Sequence, residues 1–223
     1  MKRFKISDLG IGIIFTLLFI SLGVVITINF RPLYYLDIKT LGIVKSSGYP
    51  KAEILKNYNT LIDYCSPFFF GGLKFPTLPA SQSGLIHFAE VKNIFIFFYV
   101  LGAVTLIAGI CIMIYKHRKK DFSYLLVSSI MAIVLPLIAG LFLIINFDRT
   151  FVIFHKLFFH NNYWLFDPDT DPVINILPDT FFLHCALLII SLVIFCSVIF
   201  LIIYIVKRKH FNIRYRRSDP LRF

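Results

Sequence analysis

The chain of 223 residues is 58% hydrophobic and 16% charged, with 23 lysines and arginines against 12 aspartates and glutamates, a formal charge of +11. That is far too apolar for an ordinary soluble domain, in which about 25% of residues are charged. Nucleic-acid binding is excluded as the meaning of the charge, because the basic residues hug the ends of apolar runs and no soluble domain presents them.

The first apolar run covers about residues 9–30. Its basic start resembles a secretory signal, but a signal core is only about 7 to 15 residues long and ends at an A-x-A cleavage pattern. Thr27, Asn29 and Arg31 follow instead, so an uncleaved anchor is expected. Three further runs, about 94–115, 122–146 and 181–206, also reach the roughly 20 residues that a helix needs to cross a bilayer. None of the four contains Asp, Glu, Lys or Arg. Pro136 is a candidate kink in the third, and Ala132, Ala139 and Gly140 are candidate points of close helix approach.

The start MKRFK, the connection KHRKKD and the tail from Lys207 hold 14 of the 23 basic residues. By the positive-inside rule these segments, and with them both termini, are cytoplasmic. The expected fold is therefore an all-α membrane protein, residues 1–223 forming one integral membrane domain of four transmembrane helices. His117 and His210 sit among these basic residues as part of a solvated face. No internal repeat suggests an inverted-repeat transporter.

Two segments, 31–93 and 147–180, are then extracytoplasmic, and short interfacial helices are expected in them. Pro50 suits a helix start, and Ile54, Leu55, Tyr58, Leu61, Ile62 and Cys65 recur at helical spacing after it. Beyond, Pro67, Gly71, Gly72, Pro76 and Pro79 break regular structure among apolar residues, which predicts a partly inserted loop over the mouth of the bundle. Cys65 and Cys185 lie on the outer side without the C-x-x-C pairs of a disulfide generator; they either bridge or stay as buried thiols, as do Cys111 and Cys196. Asp167, Asp169 and Asp171 begin like a calcium loop, but Pro172 and Pro178 stand where glycine and a bidentate carboxylate are needed. A solvated acidic turn is expected, and no metal site.

The outer histidines carry the sharper reading. With 151–160 helical at about 100° per residue, Phe151, Phe154, His155, Phe158 and Phe159 share an arc of about 140°, with Lys156 and His160 turned away. An imidazole buried in such a face resists protonation and is a general base near neutral pH, or else simply a histidine satisfied by a backbone carbonyl. His87 and Glu90, three residues apart, share a helix face if the chain is helical from Gly84. A carboxylate there orients an imidazole, as in hydrolytic triads, or forms a surface ion pair. His184 is a third candidate, near the outer end of the last run, with interfacial packing as the alternative.

Taken in order, Phe-Pro-x-Leu, Ser81-x-x-Gly84-Leu-x-His87-Phe-x-Glu90-Val-Lys92, a span, a basic turn, a span, Phe154-His155-x-x-Phe158-Phe159, Trp164-x-x-Asp167 and Pro178-x-x-Phe181-Phe182 resemble the lipoprotein intramolecular transacylase family of bacteria. The resemblance covers essentially the whole chain, with Glu90 where aspartate is the more usual residue. It implies an acyltransferase of the bacterial cell membrane, with its active site on the extracytoplasmic side. The reaction moves the sn-2 acyl chain of a lipoprotein's diacylglyceryl-cysteine onto the α-amino group of the same cysteine. It implies His155 and His87 as the catalytic pair, a diacylated lipoprotein as substrate, membrane phospholipid as surroundings, and no cofactor. His155 is assigned as base and His87 as acid or hydrogen-bond donor oriented by Glu90, although the reverse serves the chemistry as well. Arg149 and Trp164 are expected to line the pocket beside His155. The rival readings are a histidine-ligated haem or metal protein and a non-catalytic accessory protein.

Overall fold

The computed structural model describes residues 5–218, with side chains to residue 209. His210 and the basic residues beyond it, like Lys2 and Arg3, fall outside the described side chains. The described residues form helices α1 (Ile6–Asn29), α2 (Arg31–Thr40), α3 (Ile43–Ser47), α4 (Lys51–Tyr64), α5 (Gln82–Arg118), α6 (Ser123–Ile145), α7 (Phe147–Phe158) and α8 (Asp179–Ser218), with a 3-10 turn at Pro172–Ile176. Helices α1, α5, α6 and α8 are each long and apolar enough to cross a membrane, and this is a multi-pass membrane protein. Helix α6 runs through Pro136.

The chain divides into two compact units. One is drawn from Met1–Leu22, Leu101–Ile138 and Ile190–Phe223. Small residues bring its helices together: a side chain at Gly12 would meet Met131, and one at Gly109 would meet Phe15. Phe15 and Phe19 pack edge-on against Phe200 at 4.8 and 4.9 Å. Of the small residues expected to serve this purpose, Ala132 is fully buried, whereas Ala139 is exposed. Helix termini supply the polar contacts. Asp8, in the first turn of α1, accepts from Lys116 Nζ at 2.7 Å and from Ser123 Oγ at 2.8 Å. Lys116 also donates to Asp121 at 3.2 Å. Lys116 is thus buried against two carboxylates and not part of the solvated basic flank. Burial pushes the Asp121 carboxyl up, but Ser123 and Lys116 outweigh it and hold it at about 2.

The other unit comprises Gly23–Val100 and Ala139–Ile189. Its core is aromatic: Tyr34 of α2 stacks on Tyr58 of α4 at 3.7 Å, and Phe181 meets Tyr34 edge-on at 5.0 Å. The Tyr34 hydroxyl donates to the Ile176 carbonyl at 2.5 Å, tying α2 to the 3-10 turn. Ile43, Ile54, Val173 and Ile176 complete this core, each buried side chain contributing about 1.5 to 3 kcal/mol. Helix α4 starts directly after Pro50, as its spacing predicts. In the loop that follows, Leu73, Phe75 and Leu78 turn into the core while Phe68 and Phe70 stay exposed. Asn57, buried, ties the loop down by donating to Thr77 Oγ1 at 2.6 Å. Cys65 and Cys185 are free thiols at this core, and burial pushes the Cys65 thiol up to about 12.

Candidate active site

Ser81 starts the construction of the site. Its hydroxyl accepts the Gly84 N–H at 3.0 Å, capping α5 twelve residues before the expected span. Its own N–H donates to Asp171 Oδ1 at 2.8 Å. Asp171 is therefore buried and hydrogen-bonded, which corrects the expectation of a fully solvated acidic turn; a carboxylate facing unsatisfied amides at a helix start is well placed. Asp167 instead closes its own turn, accepting the Asp169 N–H at 3.0 Å. Gly84 is needed for the clasp, since a side chain there would lie 2.3 Å from Asp171 Oδ1.

One turn further along α5, His87 is buried with 5% of its surface exposed. Phe159 and Phe166 meet its ring edge-on at 4.6 and 5.4 Å. Its Nδ1 is buried without a hydrogen-bond partner among the described residues. Opposite lies His155, 9% exposed, with ring centroids 6.0 Å apart and planes 33° apart. Two imidazoles separated by 68 positions in the chain thus share one aromatic enclosure.

Helix α7 carries His155. It begins at Phe147, where the Asn146 side chain caps the Arg149 N–H at 2.8 Å, and it ends at Phe158. The expected helix over 151–160 is therefore displaced toward the N-terminus, and Phe159 has extended backbone. That turn brings Phe159 inward to pack against both imidazoles, 4.6 Å from His87 and 5.5 Å from His155, while Phe154 and Phe158 are about half exposed. Trp164 stacks on the His155 ring at 4.8 Å. His155 Nδ1 lies 2.8 Å from the Phe151 carbonyl oxygen. A carbonyl only accepts, so Nδ1 carries the hydrogen and a neutral ring leaves its lone pair on Nε2. Burial lowers the proton affinity of His155 from the ordinary 6.5, against the opposing pull of the Phe151 carbonyl and the Asp179 charge.

The supporting residues divide. Trp164 is beside His155 as expected, but Arg149 is exposed, and six positions at about 100° each turn it well away from His155 around α7. Glu90 lies one turn from His87, yet its Oε1 accepts from Asn161 Nδ2 at 2.7 Å and its Oε2 is buried with no partner among the described residues. His184 is drawn elsewhere, its Nδ1 2.8 Å from Asp37 Oδ2. His160 is exposed.

Asn161 is the residue that sequence reasoning passed over. Besides its bond to Glu90, its Oδ1 accepts the Tyr163 N–H at 3.0 Å and its carbonyl accepts from Trp164 Nε1 at 3.1 Å. It links Glu90 to the indole that covers His155. The signal was the Asn161-Asn162 pair in an otherwise aromatic stretch, since asparagine is favoured where side chains close turns. A separate apolar cleft of about 260 Å³ follows another face of α5, lined by Tyr64, Leu73, Leu85, Ile86 and Ala89 and by neither histidine. Among the described residues, no cluster of three or more His, Cys, Asp or Glu forms a metal ligand set.

A family model described as lipoprotein intramolecular transacylase Lit matches residues 9–182. The chain belongs to this family. It is accordingly an acyltransferase, a lipoprotein intramolecular transacylase embedded in a membrane. Among solved structures, the membrane integral lipoprotein intramolecular transacylase Lit from Bacillus cereus is 36% identical, with 93% of this chain and 98% of that chain covered and a TM-score of 0.89. Two histidine variants of the Bacillus cereus protein also match at 35% identity. The arginine variant covers 95% of this chain and 93% of its own, with a TM-score of 0.83. The alanine variant covers 92% and 94%, with a TM-score of 0.84. Curated protein sequences give no match.

Proposed function

We propose that this transacylase moves the sn-2 acyl chain of a bacterial lipoprotein's diacylglyceryl-cysteine onto the α-amino group of the same cysteine, on the extracytoplasmic side of the cell membrane. The single observation that carries the reading is the buried His87–His155 pair at 6.0 Å, with one nitrogen of His155 committed to a backbone carbonyl. In this scheme His155 Nε2 takes a proton from the substrate ammonium, freeing a lone pair for attack on the ester carbonyl. The N–C amide bond forms as the C–O bond at sn-2 breaks, and the second proton that the nitrogen loses on becoming an amide goes to the leaving glycerol oxygen. His87 donates a hydrogen bond to the developing oxyanion or to that leaving oxygen. The fixed tautomer of His155 supports this division of roles over its reverse.

Nucleophile and ester arrive in one molecule, so their proximity is supplied by the substrate and no acyl-enzyme is required. The half-exposed phenylalanines of α7 and the aromatic lining suit a substrate that is itself a membrane lipid anchor, surrounded by phospholipid. No cofactor enters the scheme.

The test uses purified protein in bicelles with a diacylglyceryl-cysteine peptide whose sn-2 chain is deuterated. The expected product has the mass of the substrate, with the label in the N-acyl fragment on tandem mass spectrometry. Label that stays on glycerol, or leaves as free fatty acid, overturns the proposal.

A further inference from the structure

We infer that Glu90 is the subsite for the substrate's α-ammonium group, its free Oε2 holding the cation beside the histidine pair. The inference rests on the reaction proposed above and names the residue that recognises one of its reacting groups.

Three observations carry it. Glu90 Oε2 is buried without a hydrogen-bond partner among the described residues, and so is His87 Nδ1, one turn away on the same helix. A buried carboxylate oxygen without a donor is costly, and native sites keep such atoms where a ligand supplies the missing partner. The second observation is that Glu90 is held in place without that oxygen. Asn161 Nδ2 donates to Oε1 at 2.7 Å, and Asn161 is fixed in turn by its bonds to Tyr163 and Trp164. The carboxylate is therefore preorganised, with one oxygen free. The third observation is chemical. His87 and His155 are packed among Phe88, Phe151, Phe159, Phe166 and Trp164, surroundings that solvate a cation poorly. The Asp179 charge also acts on His155, but among the described residues Glu90 Oε2 is the buried carboxylate oxygen left without a hydrogen-bond partner.

A positive charge entering such an enclosure must be compensated. The substrate enters as an ammonium, and proton transfer to His155 replaces that ammonium with an imidazolium. The cation moves by one proton transfer but stays within the enclosure, so one fixed carboxylate compensates it before and after the step. Glu90 engages one ammonium N–H while another faces His155 Nε2. The bond to Asn161, which positions Trp164 over His155, keeps these two acceptors in register.

Binding of ether-linked lipopeptides tests this. A dialkylglyceryl-cysteine peptide carries no ester, so acyl transfer cannot occur, and its amine is either present or replaced by hydrogen. Affinities are read by fluorescence anisotropy in bicelles. The wild-type protein is expected to bind the amine form about 30-fold more tightly or better, the range seen when a buried charge loses its partner. Glu90→Gln keeps an acceptor for Asn161 and should remove that preference, weakening the amine ligand and leaving the des-amino ligand unchanged. A Glu90→Gln protein that loses affinity for both ligands equally overturns the inference, since the carboxylate then only supports the loop. Equal binding of the two ligands by the wild-type protein overturns it without reference to any variant. Because no transfer contributes to this readout, failure of the deuterium experiment and failure of ammonium recognition are seen separately.

Discussion

Gly84→Ala isolates the clasp that aligns the two histidine-bearing segments. The new Cβ would lie 2.3 Å from Asp171 Oδ1, 3.0 Å from its Cγ and 3.1 Å from Phe166 Cε1, whereas ordinary contact begins at 3.4 Å. Asp171 must retreat by about 1 Å, which breaks its 2.8 Å bond to the Ser81 N–H. Losing a hydrogen bond to a charged acceptor costs about 1.5 to 3 kcal/mol, and alanine's better helix propensity returns about 0.5 to 1 kcal/mol. The net destabilisation is then about 0.5 to 2.5 kcal/mol. The effect on rate is larger, because Asp171 shifts by about 1 Å and Phe166, which packs on His87, by a few tenths of an ångström, and a misplacement of about 1 Å away from the chemistry is worth up to about 100-fold. Acyl transfer in bicelles should fall between about 10- and 100-fold in Gly84→Ala, with a modest drop in the unfolding temperature. Gly10→Ala, with nothing within 4 Å of the new Cβ, serves as the control and should keep wild-type activity. Wild-type activity in Gly84→Ala would refute the clasp. So would a double variant with Asp171→Ala whose loss is the full product of the two single losses, since residues acting through one contact are not additive.

Other outcomes follow from the same structure. Burial lowers the proton affinity of His155, so the acid limb of kcat/KM should lie below the ordinary 6.5, and a limb at or above that value contradicts the enclosed base. The linked stability has the sign of a suppressed base. It is fully present above pH 6.5 and declines as pH falls below it, because the unfolded chain binds the proton that the folded ring resists. Asp8→Asn should lower stability in detergent by about 3 kcal/mol by leaving buried Lys116 short of a carboxylate, whereas Lys5→Ala, which removes an exposed 3.7 Å contact, should change it by less than about 1 kcal/mol. Equal effects of these two substitutions would contradict the buried ion network.

The long helices were legible because a bilayer demands uninterrupted apolar length, and helix α4 because Pro50 and a helical repeat of apolar residues announce it. The extension of α5 back to Gln82 was harder to read, since Glu90, Lys92 and Asn93 interrupt the apolar run without breaking the helix. His155 stood out as an ionisable group in an aromatic helix face, and His87 by its three-residue spacing from Glu90. What escaped were pairings set by tertiary structure: Asp171 finds Ser81 across 90 positions, Asn161 finds Glu90 across 71, and Lys116 finds Asp8 across 108. No local spacing encodes such partners. Charged residues near a span therefore read as solvated or as topology signals until the fold brings their partners to them.

Lipoprotein N-termini from cells with and without this protein, analysed by mass spectrometry, test the transacylase account most directly. The account predicts that the protein converts free-amine diacylglyceryl-cysteine into N-acyl, monoacylglyceryl-cysteine, and that His87→Ala or His155→Ala abolishes the conversion. An unchanged lipid pattern with the wild-type protein, or full conversion with either variant, would contradict it.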